Sequence, residues 1–196
     1  MKRIYLLGAG SHAKSVSDVL KYTHKDIKII LVDNKPGTGD MQQNELSNKN
    51  DSLIFVTIGD NVVRRRVFEK FTDFKFANVV SGLGYVSVDA QLGKGIFIGN
   101  FCHVGPGASV GDNTIINNSA IVEHDVKIGK HCHLAPNSVL AGNSSIGDMV
   151  FVGTGASVIN NVSVCSNVVI GAGAVVVENI TEPGTYVGCP AKIIKK

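Results

Sequence analysis

Residues 121–143 read IVEHDVKIGKHCHLAPNSVLAGN, and within them Val122, Ile128, Leu134 and Leu140 stand six apart. The interval runs on in both directions. From Val86 to Val176 an aliphatic residue fills every sixth position, sixteen in succession, until Glu182 breaks the series. Two places before these residues the chain favours small side chains, as at Cys102, Ala108, Ala120, Cys132, Ser138 and Ala156. One place after them glycine recurs (Gly93, Gly99, Gly105, Gly111, Gly129), and three places after them asparagine does (Asn113, Asn137, Asn143, Asn161, Asn167, Asn179). Such residues suit turns and left-handed backbone. A period of six matches neither a helix nor an alternating strand. It matches a parallel β-helix of hexapeptide repeats, one short strand and one corner per repeat. Three repeats make a triangular coil, so the series predicts a little over five coils, about 18 residues each.

The first 80 residues follow another rule. KRIYLLGAG reads as a buried strand entering a glycine turn, Ser11 to Tyr22 as a helix, and IKIILVD as a second strand ending at Asp33. Residues 35–52 are polar and loop-like, LIFVTIGD is a third strand, and Asn61 to Phe71 a second helix. Alternation of this kind predicts a small α/β unit with a parallel sheet. The division is therefore 1–80, Rossmann-like and α/β, and 81–196, β-helix with a C-terminal cap. The turn Gly8-x-Gly10-x-x-Ala13 has the pattern of a dinucleotide fingerprint, in which glycines let a phosphate approach a helix N-terminus. Eighty residues are too few for the two-halved dinucleotide fold. One nucleotide or nucleotide sugar is the expected ligand, with Asp33 placed to read a ribose hydroxyl.

Composition narrows the function. Of 196 residues 44% are hydrophobic and 18% charged, enough for a packed core; Trp is absent and aromatics are 6%, as expected of thin aliphatic layers. The net charge of +3 is scattered. Arg64, Arg65 and Arg66, with Lys192, Lys195 and Lys196, read as solvated helix and tail charge, and nothing suggests a nucleic-acid groove. No stretch approaches the ~20 apolar residues of a membrane span, and no leader peptide is evident, so a cytoplasmic location is expected. Cys102, Cys132, Cys165 and Cys189 form no CxxC pair and read as reduced thiols.

GAGSHAKSVSDVL near the N-terminus, VTIGDN in the third strand, IVEHDVKIGKHCHLAPNSVLAGN in the repeats and GTYVGCPAK near the C-terminus together resemble the sugar O-acyltransferase family. It holds sialic acid O-acetyltransferases (NeuD-like) and bacterial N-acetyltransferases of UDP-4-amino-4,6-dideoxy sugars (PglD-like). The resemblance implies a left-handed β-helix, acetyl-CoA as co-substrate, no metal, and a homotrimer with acetyl-CoA in the groove between neighbouring β-helices. It places the catalytic histidine at His124 and its acidic neighbour at Asp125, where close N-acetyltransferase relatives carry glutamate. It places acetyl-CoA contacts at His133, Thr154 and Ala172, and the nucleotide-sugar site at Gly10, Ser11, His12, Asp33, Asn34 and Gly59.

The spacing bears on these assignments. His124 lies two residues past the inward Val122, hence on a corner, and one coil on at that corner stands Gly142. With coils ~4.8 Å apart, the Gly142 N–H is a candidate oxyanion donor and acetyl-CoA contact. Thr154 and Ala172 stack likewise on another corner. Chemically, an amine must lose a proton to attack a thioester, and a histidine with an intrinsic pKa near ~6.5 can take it. A carboxylate on the other ring nitrogen fixes the tautomer. Direct transfer is expected, since no cysteine or serine has an activating partner. His103 and His131 read as ordinary surface positions. Rival readings are O-acetylation of sialic acid or another sugar hydroxyl, a zinc enzyme of the γ-carbonic-anhydrase type, and a non-catalytic scaffold.

Overall fold

A computed structural model describes residues 3–35, 37–46 and 52–194; Pro36, residues 47–51 of the polar stretch, and Lys195 and Lys196 of the basic tail lie outside them. In the N-terminal unit β1 (Arg3–Leu7), β2 (Lys28–Val32), β3 (Leu53–Val56) and β4 (Lys75–Phe76) form one parallel sheet in the order β2-β1-β3-β4. Helix α1 (Ser11–Thr23) buries Ala13, Val16, Val19 and Leu20 along one face. Against that face pack Ile4, Leu6 and Phe55 from the sheet and Val79, Phe97 and Ile115 from the β-helix, so α1 is the filling between the two units. Helix α2 (Asn61–Lys70), capped by Asp60 accepting from the Val63 N–H, covers the other side of the sheet, with Phe68 against Leu7, Val32, Ile54 and Val56.

The remainder is a parallel β-helix of about seven turns. Its first face carries strands Val79–Val80, Phe97–Ile98, Ile115–Ile116, His133–Leu134, Phe151–Val152, Val168–Ile170 and Gly184–Val187. The second carries Tyr85–Val86, His103–Val104, Ile121–Val122, Val139–Leu140, Ser157–Val158 and Val175–Val176, and the third runs from Gln91–Leu92 to Ser163–Val164. Partners in successive coils are 18 residues apart, as in Ile121↔Val139 and Val122↔Leu140. The sixth-position residues point inward: Val104, Val122, Leu140 and Val158 are each 0% exposed. Each such aliphatic contributes about 1.5–3 kcal/mol by burial, and one per face leaves no room for large rings.

Turns are made by the residue three places after the inward one. Asn113, Asn137, Asn143, Asn161 and Asn167 have φ between 56° and 62°, and so do Asp125, Phe101, Ser119 and His131 in the same slot. Asn179 does not adopt that conformation; its side chain accepts from the Ser163 N–H instead. The solenoid is longer at both ends than the series from Val86 predicts. Val80 is one more sixth-position residue, and Val79–Val80 already pairs with Phe97–Ile98, so the solenoid takes in the last two residues of segment 1–80. At the other end the series shifts rather than stops. Val164 bridges Ile180 and Ile170 pairs with Tyr186, steps of 16 residues, so the last coil is shortened by two and Glu182 falls out of register.

Helix α2 is also bolted to the solenoid. Asn61 Nδ2 donates to the carbonyls of Met149 (3.4 Å) and Val150 (3.3 Å). One turn on, Arg64 donates to those of Asn113, His131 and Cys132. After another turn the Phe68 ring stands 2.9 Å from where a Cβ on Gly95 would lie. Residues 95, 113, 131 and 149 occupy one corner of successive coils. A helical pitch of about 5.4 Å against a coil spacing of about 4.8 Å lets side chains at Asn61, Arg64 and Phe68 meet neighbouring coils in turn. Arg64 is 1% exposed, which corrects the reading of the three arginines as solvated; of these, Arg65 pairs with Glu69 on the exposed side. His131 is likewise buried at 8% exposure, with Nδ1 2.8 Å from Asn113 Nδ2, because α2 covers its corner; His103 stacks on Tyr85.

Candidate active site

The corner between the second and third faces carries the pair of His124 and Asp125. After strand Ile121–Val122 the chain turns through His124 and Asp125, the latter at φ 59°. That turn presents both side chains outward, 59% and 65% exposed, with His124 Nδ1 2.9 Å from Asp125 Oδ2. Space for them comes from two glycines. A Cβ on Gly107, one coil below, would lie 2.5 Å from Asp125 Oδ1; one on Gly142, one coil above, would lie 2.5 Å from His124 Nε2. The imidazole therefore lies over Gly142. With Nδ1–H donated to the carboxylate, Nε2 is the ring's free acceptor.

The Gly142 N–H has no acceptor among the described residues. Pro106 and Pro136 occupy the same turn slot in other coils. A residue without an N–H is tolerated there, so the solenoid leaves that donor for other use.

Thr154 and Ala172 stack on a second corner, between the first and second faces, where Gly173 N–H donates to the Thr154 carbonyl at 2.9 Å. Both are exposed, and nothing lies within 4 Å of a Cβ on Gly155 or Gly173, so the corner is open along its length. Within one chain it is a different corner from that of His124.

His133 is on the first face, under the N-terminal unit. Its Nδ1 is 3.2 Å from the Gly59 carbonyl and its Nε2 3.3 Å from Asn117 Nδ2, while its ring meets Phe151 edge-on. This fixes a neutral tautomer, Nδ1–H donating and Nε2 accepting. Burial and then the Arg64 charge lower its pKa to about 4. With both nitrogens engaged, His133 cannot serve as a base.

The N-terminal residues gather at the carboxyl ends of the strands. In the order β2-β1-β3-β4 the chain reverses direction between β1 and β3, the crevice at which open α/β sheets bind ligands. Gly10 caps α1 without a side chain, and Ser11 beside it is exposed. Thr57 Oγ1 donates to the Gly8 carbonyl, tying the ends of β3 and β1 together. Asp33 accepts from the Lys35 N–H at 2.9 Å and the Ala9 N–H at 2.8 Å, bonds that hold its pKa below the usual carboxylate value. It is thus also the strut that shapes the glycine turn. Asn34 Oδ1 accepts from the Gln43 N–H at 3.1 Å. His12 packs edge-on against Phe97 with its buried Nε2 unpartnered, and its pKa is lowered to about 4 by burial first and then by His133 and Arg64.

Between the start of α2 and the first face lies a cleft of about 510 Å³, lined among others by Gly59, Asp60, His133, Phe151 and Val169. The structure thus joins His133 to Gly59, residues the sequence assigns to different ligands. It also exposes two positions the sequence did not flag, Asn61 and Arg64. Their signal was the helical spacing of Asn61, Arg64 and Phe68, which puts them on one face. Among the described residues no three His, Cys, Asp or Glu side chains cluster as metal ligands, and no helix is long and apolar enough to cross a membrane.

Comparison with known proteins accords with this arrangement. The PglD N-terminal domain family matches residues 3–71, and the bacterial transferase hexapeptide family (six repeats) matches residues 108–142. A variant of perosamine N-acetyltransferase from Caulobacter crescentus, in complex with CoA and GDP-perosamine, is 31% identical, with a TM-score of 0.94 over 100% of this chain and 98% of that one. The acetyltransferase domain of PglB from Neisseria gonorrhoeae, in complex with acetyl coenzyme A, is 30% identical, with a TM-score of 0.93 over 98% and 99% of the two chains. An uncharacterised protein of Acanthamoeba polyphaga mimivirus is 33% identical over 121 residues, 58% of this chain but 24% of that much longer protein. The chain belongs to the PglD-like family of acetyl-CoA-dependent sugar N-acetyltransferases, which join a Rossmann-like domain to a left-handed parallel β-helix of hexapeptide repeats.

Proposed function

We propose that this chain transfers the acetyl group of acetyl-CoA to the 4-amino group of a UDP-linked 4-amino-4,6-dideoxy sugar, with His124 as general base. The observation that carries the reading is the His124–Asp125 pair lying over Gly142 on an open corner. The amine attacks the thioester carbonyl as His124 Nε2 takes its proton, and a C–N bond forms. Asp125, bonded to Nδ1, holds the tautomer and stabilises the imidazolium. The Gly142 N–H faces the oxyanion. Collapse breaks the C–S bond, and the thiolate leaves with the proton carried by His124. An acyl-enzyme has no support from the two buried thiols: burial pushes Cys132 up to about 12 and Cys102 up to about 11.

We assign acetyl-CoA to Thr154, Ala172, His133 and Gly142 across the groove between neighbouring prisms, since Thr154 and Gly142 stand on different corners of one chain, and the nucleotide to the crevice of Gly10, Ser11, His12, Asp33, Asn34 and Gly59. Geometry then argues for a homotrimer. The nucleotide-binding unit covers the first face, and His124 projects from the corner opposite that face. One chain therefore cannot bring its own acceptor to its own base, whereas a neighbouring prism can. Its four unpaired cysteines and its metabolite substrates fit the cytoplasm.

A second reading, a GDP-linked amino sugar, is favoured by the complex of the Caulobacter relative. The test is acetyl-CoA consumption against UDP- and GDP-linked 4-amino sugars and sialic acids. Turnover of a UDP-4-amino sugar is expected; turnover of a sialic acid alone would replace N- by O-acetylation. A fully active monomer in analytical ultracentrifugation would overturn the shared site.

A further inference from the structure

Arg64 is the largest side chain fully enclosed in the molecule, at 1% exposure. Its five N–H groups meet six acceptors. Nη1 donates to the carbonyls of Ile58 (3.3 Å) and Gly59 (2.9 Å). Nη2 donates to Asn61 Oδ1 (2.8 Å), the His131 carbonyl (2.8 Å) and the Cys132 carbonyl (2.9 Å), and Nε to the Asn113 carbonyl (3.0 Å). Among the described residues no carboxylate pairs with it. A buried charge of this kind is a poor way to gain stability, since well-packed apolar residues usually do as well. What the guanidinium does that an apolar side chain cannot is hold three places at fixed separation. These are the turn after β3, one coil at Asn113, and the next coil at His131 and Cys132. Its planar fork suits that task, where lysine offers only a point charge. The held turn contains Gly59, whose carbonyl also receives His133 Nδ1.

We propose that Arg64 is a positioning residue for the acceptor. Through the Ile58–Asp60 turn it sets the height of the nucleotide-binding unit along the solenoid, and so where the amino group of the bound sugar meets a neighbour's His124. It touches neither substrate. The proposal rests on the nucleotide-sugar reading given above.

The experiment compares the full chain with Arg64→Lys and Arg64→Met, using the amino sugar that the wild-type chain turns over best. Binding of UDP or GDP and of acetyl-CoA is measured by calorimetry, with stoichiometry, alongside kcat. In Arg64→Met, kcat should fall by roughly 10–100-fold, the scale of about 1 Å of misplacement. Acetyl-CoA affinity and both stoichiometries should stay at wild-type values. Arg64→Lys should recover less than half of the lost kcat, because the fork and not the charge does the holding. Loss of kcat only in proportion to lost binding stoichiometry would mean a merely structural role and overturn the proposal. So would a folded Arg64→Lys of wild-type kcat, which carries the test alone if Arg64→Met does not fold. A wild-type chain that acetylates no nucleotide-linked amino sugar removes the underlying reading, and this proposal with it; a fully active variant removes the proposal only.

Discussion

At the open corner, His124 is 59% exposed and bonded through Nδ1 to a carboxylate, and its Nε2 lies over Gly142. At the seam between the two units, His12 and His133 are half-buried near the Arg64 guanidinium, and their pKa values are lowered to about 4. The same side chain has opposite uses in the two places. Solvent, an anion and a free nitrogen suit the corner histidine to the proposed role of base. Burial and a nearby cation keep both seam rings neutral, and in His133 both engaged nitrogens make the ring a strut. Histidine chemistry in this fold is decided by which side of the solenoid a ring projects from.

The sharpest way to break that contrast is to remove the corner histidine. His124→Ala should lower kcat by roughly 10²–10⁴-fold, the range for lost general-base catalysis, with acetyl-CoA affinity measured by calorimetry nearly unchanged. Near-normal turnover would place the base elsewhere; His133 is excluded as the substitute by its engaged nitrogens. Next is Gly142→Ala, whose methyl would occupy the space of Nε2. The ring must swing away, and kcat should fall by up to about 10²-fold without a change in far-UV circular dichroism or oligomer mass. A fully active alanine variant would show that the ring need not lie there. Asp125→Asn keeps the proposed base and weakens its partner, so a milder loss of about tenfold is expected; a larger loss than that of His124→Ala would reverse the assigned roles.

The smallest effect concerns the seam. His12 and His133 are neutral in the folded protein and titrate near the ordinary value of 6.5 when unfolded. Below that value the unfolded chain binds more protons, so stability, full above about 6.5, should decline as the pH drops toward about 4. Denaturant midpoints measured across this window should fall, and His133→Gln, which keeps a neutral donor and acceptor, should flatten part of the slope. Unchanged slopes would mean that the seam admits protons freely.

Much of this was legible in the chain because a hexapeptide repeat is a local rule. Each inward aliphatic announces its own strand, and counting in eighteens stacks His124 under Gly142 and Thr154 under Ala172 without coordinates. The failures came where a repeat meets something outside itself. Val80 was missed because the series was opened at Val86, and the last coil because two missing residues look like the end of a pattern rather than a change of step. The burial of Arg64 is hidden because a run of three arginines does not say which one faces a neighbour. That of His131 is hidden because its corner is open until α2 covers it.

By itself, then, the sequence determined the solenoid, its corners and the pairing of His124 with Gly142, since these follow from a fixed number of residues per coil. Only the tertiary structure decided which face the N-terminal unit covers. That placement buries Arg64, neutralises His12 and His133, and leaves His124 on the opposite corner. It depends on contacts between residues far apart in the chain, such as Arg64 with Asn113, 49 positions on, and Asn61 with Val150, 89 positions on, and no period in the chain encodes them.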